Sequence, residues 1–169
     1  MDNGSVACRL HNMPDPLPSE KRSALMASVR TVGTAPELRV RKLAHQLGLR
    51  YRIAPRVLPG KPDLSFPGAR MAVFVHGCFW HGHEECRKGT LPTSNIDFWA
   101  TKIAANQLRD RVVEVQLATQ GWQTIVIWEC ETRNALTVIE RLAPIIVHYL
   151  GHDRLACALA ATPPLVGGH

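Results

Sequence analysis

Thirteen consecutive residues, Phe74 to Cys86 (Phe-Val-His-Gly-Cys-Phe-Trp-His-Gly-His-Glu-Glu-Cys), hold three of the chain's eight histidines, two of its five cysteines and two adjacent aromatics. Core packing does not select such a mixture. Histidine and thiolate are the usual ligands of zinc, and histidine is also the usual acid or base near neutral pH. Any fold of this chain must therefore bring the segment to a metal, a reaction, or both.

A length of 169 residues, with 46 % hydrophobic and 20 % charged content, suits one domain with a real core and tails. The net charge of +6 and a pI near 9.4 favour a polyanionic partner. No basic start followed by an apolar run opens the sequence, and no stretch of about eighteen apolar residues follows, so secretion and membrane insertion are not expected. The expected location is the cytoplasm. Cys78, Cys86 and Cys130 lie beside histidine or at the end of an apolar run, which points to a metal site rather than a disulfide framework. Cys8 and Cys157 fall in the expected tails as free thiols.

Residues 1–18, with Pro14, Pro16 and Pro18, read as a flexible arm ending where Ser19 can cap a short helix to about Val29. Thr34-Ala35-Pro36-Glu37 is a capping box, opening a helix whose Val40, Leu43, Ala44 and Leu47 share a face and which Gly48 ends. A short strand at Tyr51–Ile53 follows, and then a Pro-Gly turn into Asp63–Phe66. Pro67-Gly68 reverses the chain into the apolar run Met71–Val75, a strand covered on both faces that delivers His76 and sets Asp63 opposite Ala72 or Val73. Asn95 can cap a long helix to about Thr119, stopped by Gly121 and exposing Lys102, Arg109 and Arg111. Trp122–Trp128 reads as a strand, Leu136–Leu150 as an amphipathic helix bent at Pro144, and residues 151–169 as a loose tail. The expected fold is α/β (α+β), a central mixed sheet flanked by helices, with one domain over residues 19–150.

Cys78, His83 and Cys86 supply three metal ligands where a structural zinc site takes four. Cys130 is the natural fourth if its strand lies beside Met71–Val75; an ordinary buried cysteine is the alternative. Asp63, after Pro62 at a strand start, is placed like an aspartate that holds Mg²⁺ against a scissile phosphate, although Pro-Asp turns are common. His76 or His81 can take a proton from water or orient a phosphate. Glu37 is fully explained by its capping box. Phe79 and Trp80 can be core, or a wedge between bases.

Gly60-Lys61-Pro62-Asp63, Phe74 to His81, Phe98-Trp99 with Lys102-Ile103, Asn106 and Arg109-Asp110, and Gly121-Trp122 through Trp128-Glu129-Cys130 together make the chain resemble the very-short-patch-repair (Vsr) mismatch endonucleases. The resemblance spans about Ser19 to Arg133. It implies a restriction-endonuclease-like fold with a structural zinc site, and an enzyme that nicks 5′ to the thymine of a T:G mismatch left by deamination of 5-methylcytosine. Such an enzyme acts on double-stranded DNA at the nucleoid and is functionally linked to a DNA cytosine-5 methyltransferase and a repair polymerase. By the same resemblance Asp63, with the Val75 backbone carbonyl, binds Mg²⁺, His81 is the base, His76 lies beside the phosphate, and Glu37 is the active-site glutamate that can also hold a catalytic histidine. Cys78, His83, Cys86 and Cys130 are the zinc ligands. Phe79 and Trp80 form the base-step wedge with Met26 opposite, while Lys61, Lys102 and Arg109 are placed to hold the DNA backbone. The chain departs from the family at Val75, where threonine is usual, and by one residue inserted ahead of Cys86. An endonuclease of the same fold with another target, or a non-catalytic zinc-stabilised DNA-binding module, fits the same residues.

Overall fold

The computed structural model describes residues 32–53, 55 and 57–162. The expected arm, the Ser19–Val29 helix and Met26 lie outside them. Helix α1 (Ala35–Gln46) begins at the expected capping box: the Glu37 N–H donates to Thr34 Oγ1, and the Thr34 N–H donates to the Glu37 carboxylate at 3.3 Å. Gly48, at φ 80°, takes the left-handed turn that ends it.

The described residues form one four-stranded sheet in the order β1 (Arg52–Ile53), β2 (Leu64–Phe66), β3 (Met71–His76), β4 (Gln123–Trp128). β1, β2 and β3 pair antiparallel, whereas β3 and β4 run parallel from Met71↔Gln123 to His76↔Trp128. A parallel pair needs a crossover, and helix α2 (Ile96–Thr119) supplies it. The β2–β3 register sets Leu64 against Val73, so Asp63 falls opposite Phe74 rather than Ala72 or Val73. The cause is the turn, which uses all of Pro67 to Arg70; Arg70 sits at φ 49° and cannot extend the strand.

Alternation along β3 explains its uninterrupted apolar run. Met71 and Val73 join Leu64, Phe66 and Ile127 beneath Val40 and Ala44 of α1 and the apolar face of α3 (Ala135–Leu150): Val138, Ile139, Leu142, Ile145 and Ile146. Ala72, on the other face, packs with Leu58 and Leu117 of α2, with Phe74, Val113 and Trp122 alongside. The last three residues of β3 are only half-buried, so the strand leaves the core as it reaches His76.

Asn95 does not cap α2 through its side chain as expected; it adopts φ 54°, a left-handed conformation that asparagine tolerates. Gly121, at φ 76°, does end the segment. Asn134 caps α3, which runs on through Pro144. The expected loose tail from residue 151 is corrected for its first part. Gly151, at φ 83°, turns the chain, and α4 (His152–Ala161) lays Leu155, Ala158 and Leu159 against the main core. These three positions share a helical face. Among the described residues, no helix is long and apolar enough to cross a membrane. Leu155→Asp should therefore lower stability by roughly 1–3 kcal/mol, as an unpaired charge forced against apolar packing does. Thermal unfolding checks this, and an unchanged melting temperature would restore the loose-tail reading.

Candidate functional site

β3 ends at His76, and the turn that follows folds back so that the His81 ring stacks on His76, centroids 3.9 Å and planes 10° apart. The turn closes with the His81 N–H donating to the Gly77 carbonyl at 3.2 Å. His81 Nδ1 lies 2.5 Å from Asp110 Oδ2 of α2. A carboxylate there selects the Nδ1–H tautomer and leaves Nε2 to accept a proton. Burial, and next the repulsion of His81, push His76 down to about 4, so it is neutral at pH 7. The ligand atoms of His76, His81 and Asp110 all lie within 4.8 Å of one another.

Helix α2 also grips the turn by its backbone: Asn106 Nδ2 donates to the Trp80 carbonyl at 2.8 Å and Gln107 Nε2 to that of His81 at 3.3 Å. Gly82 makes this approach possible, since a Cβ there would sit 2.6 Å from Gln107 Nε2, and its φ of 64° disfavours side chains in any case. Sequence reasoning gave Asp110 no role. Its signal is helical spacing, because Trp99, Ile103, Asn106 and Asp110 recur on the face of α2 that meets this turn.

The acidic half of the site lies at the neighbouring residue. The Val75 N–H donates to Asp63 Oδ2 at 2.7 Å. Burial, with Glu37 as a nearby like charge, lifts Asp63 to about 6, against the lowering effect of the Val75 N–H and of Arg41. Glu37, 3 % exposed, accepts from the Gly33 N–H and Thr34 Oγ1, both at 2.8 Å, and from Arg41 Nη2 at 3.0 Å. Among the described residues it bonds no histidine, and the carboxylate beside His81 is that of Asp110. Thus Asp63, Glu37 and Arg41 make one group and His76, His81 and Asp110 another. They meet at Val75 and His76.

Beyond the turn, Cys78, His83, Cys86 and Cys130 bring all four ligand atoms within 4.8 Å of one another, with Cys130 Sγ 3.4 Å from His83 Nδ1. Cys130 arrives because β4 runs parallel to β3 and ends at the same edge. The loop is closed by the His83 N–H on the Cys78 carbonyl at 2.9 Å and the Gly89 N–H on the Cys86 carbonyl at 2.8 Å. Gly89 is obligatory on steric grounds, as a Cβ would lie 2.1 Å from the His83 carbonyl oxygen. Glu84 and Glu85 between the ligands are exposed, and His83 lies in the cluster. Burial pushes the Cys78 thiol up and Cys130 up to about 12, whereas the Lys88 backbone N–H pulls Cys86 down, so Cys78 and Cys130 resist ionising unless a cation compensates them. Three sulfurs and one imidazole can hold a metal, and as a donor set they suit zinc.

Phe79 and Trp80 neither fill the core nor stand free. Both are half-buried and T-shaped against Trp99, with centroids at 5.1 and 6.0 Å, and Trp99 itself is 8 % exposed. Phe98 packs on Trp99 yet stays 59 % exposed, and Lys102 Nζ lies 5.9 Å from the Trp80 centroid. Arg109 Nη2 bonds Asn106 Oδ1 on the exposed side of α2.

A family model described as DNA mismatch endonuclease Vsr matches residues 14–88. The chain is 47 % identical to the Type II nicking enzyme V.XorIIP of Xanthomonas oryzae over 134 residues, 79 % of this chain and 98 % of that one. It is 42 % identical to the Type II nicking enzyme V.NmeAIP of Neisseria meningitidis, over 79 % of this chain and 95 % of that one. With the DNA mismatch endonuclease Vsr of Escherichia coli it shares 38 % identity over 67 % of this chain and 72 % of that one. The chain belongs to the Vsr family. It is a DNA endonuclease. The Vsr match spans Asp63, both stacked histidines and three of the four cluster ligands, whereas Asp110 and Cys130 lie beyond residue 88 and join them through the fold.

Asp63 carries a cost typical of such sites. Its folded value of about 6 exceeds the ordinary 3.8, so between these pH values the folded state binds more protons than the unfolded one. Stability is therefore lost as pH rises through that window, and the full cost remains above it. Asp63→Asn should be more stable than the parent at pH 7–8 by on the order of 1–2 kcal/mol, allowing for partial exposure, and lose this advantage below pH ~4. Melting curves across pH without added divalent metal measure it; an advantage independent of pH would refute the cause.

Proposed function

We propose that the protein nicks one strand of duplex DNA on the 5′ side of a thymine mispaired with guanine, starting very-short-patch repair. The observation that carries this reading is the adjacency of Phe79-Trp80 to His81 on a turn held by α2: an aromatic pair suited to open a base step lies one peptide from a carboxylate-held imidazole. Two relatives named as nicking enzymes and one as a mismatch endonuclease support it. A mispaired step is already weakened, so inserting Phe79 and Trp80 costs less there than in matched DNA. Met26, outside the described residues, would approach from the opposite groove.

Asp63 and the Val75 carbonyl would hold Mg²⁺; half-buried and with one carboxylate oxygen on a backbone N–H, Asp63 suits a cation. Bound there, the ion supplies compensation for charge growing on the scissile phosphate. His81, oriented by Asp110, takes the proton of the attacking water at Nε2. Neutral His76 donates a hydrogen bond to a phosphate oxygen. Glu37, locked by Arg41, borders the metal position. Lys61, Lys102 and Arg109 hold the DNA backbone. Zinc on Cys78, His83, Cys86 and Cys130 is structural and keeps wedge and histidines at fixed separation. Since thymine opposite guanine arises from 5-methylcytosine, the reading links the enzyme to a DNA cytosine-5 methyltransferase and a repair polymerase.

A nicking assay with Mg²⁺ on T:G, matched and other mismatched duplexes tests this. The T:G strand should be cut far faster than the rest, and Asp110→Asn should slow it by roughly 10–100-fold. Equal cutting of all duplexes would sink the repair reading, and binding without cutting would leave a DNA-binding module. Metal analysis tests the cluster: Cys130→Ala and Gly89→Ala should each lower zinc content and melting temperature together. A full equivalent of zinc in Cys130→Ala would refute the four-ligand set.

A further inference from the structure

His76 is held in an unusual way. Among the described residues no hydrogen bond fixes its ring, which is instead packed between His81, Phe74 (centroids 6.0 Å) and Trp128 (5.5 Å, planes 73° apart). Trp128 is half-buried and its indole also stacks on His83, 4.2 Å away with planes 1° apart. Its backbone is anchored in register with His76 in the sheet and through its N–H to Glu131 Oε2 at 2.8 Å. One ring therefore touches a ligand of the Cys/His cluster on one side and the unbonded imidazole of the phosphate site on the other.

We propose that Trp128 is a positioning residue that couples the Cys/His cluster to the reacting histidines: His83, fixed in the cluster, sets the plane of Trp128, and Trp128 sets the plane of His76. His76 passes that order to His81 by stacking, while Asp110 fixes His81 from the other side. The inference rests on His76 and His81 being the reacting pair. It assigns the cluster a second consequence beyond stability, because disorder at His83 reaches the chemistry through a single side chain.

The test uses Trp128→Leu and Trp128→Phe in the full chain. Trp128→Leu should lower single-turnover nicking of a T:G duplex by roughly 10–100-fold, the usual range for partners that orient a site, with zinc content and duplex affinity at the wild-type level. Trp128→Phe keeps an aromatic face and should recover most of the rate. In a His76→Ala background, Trp128→Leu should cause no further loss, since both act through one ring. Independently of activity, NMR signals of the His76 ring should broaden in Trp128→Leu. Multiplying losses in the double variant, a parallel loss of zinc, affinity and rate, or an unchanged His76 signal would each overturn the proposal. If the wild-type protein cuts no DNA, the proposed function fails, while the NMR signal still decides the coupling.

Discussion

The parallel pairing of β3 with β4 is the constraint on which the site depends. In-register pairing from Met71↔Gln123 to His76↔Trp128 ends both strands at one edge, so the turn after His76 and the turn after Trp128 share the same space. Cys78 and Cys130, 52 positions apart in sequence, can meet only because of it. The same pairing requires a crossover, and α2 lies over the face bearing Ala72, Phe74 and His76. Asn106, Gln107 and Asp110 then reach the turn at Trp80 and His81 as consequences of topology.

Two kinds of stabilisation divide the edge between them. On one side, Glu37 and Asp63 form a like-charged pair relieved only in part by Arg41 and by backbone N–H groups. That arrangement costs stability at neutral pH, as carboxylates kept for function rather than for the fold do. On the other side, three thiols and an imidazole that could hold a metal converge with little secondary structure to support them, and Gly89 closes that loop tightly against His83. The core of α1, α3 and the sheet pays for neither locally; it holds the strand ends rigid from below.

Local chemistry made much of this legible in the sequence. The α1 capping box, the apolar β3 run and the joining of Cys130 to a three-ligand cluster follow from spacing within one element or from strand ends that must converge. What escaped the sequence depends on backbone conformation or on distance. Asn95 looks like a helix cap but spends its tolerance of positive φ instead. The register at Asp63 turned on one residue, Arg70, entering the left-handed region. Asp110 is marked only by its helical spacing with Trp99, Ile103 and Asn106, and an acid between Arg109 and Arg111 reads as an exposed charge until the fold sets His81 against it. The short helix after Gly151 reads as a tail beyond the last long helix until the core receives Leu155, Ala158 and Leu159.

Several contacts at this edge are made by the backbone rather than by side chains. Asp63 is held by the N–H of Val75, a contact that does not depend on the side chain at position 75. Glu84 and Glu85 are exposed, while the bonds from His83 to Cys78 and from Gly89 to Cys86 close the loop around them. A Cβ at Gly89 collides with the His83 carbonyl, which is backbone, whereas one at Gly82 meets the movable end of Gln107 and a methyl of Ile103 at a φ of 64°. At Gly89 tolerance is therefore set by where backbone meets backbone, and at Gly82 by the left-handed backbone together with two side chains of α2.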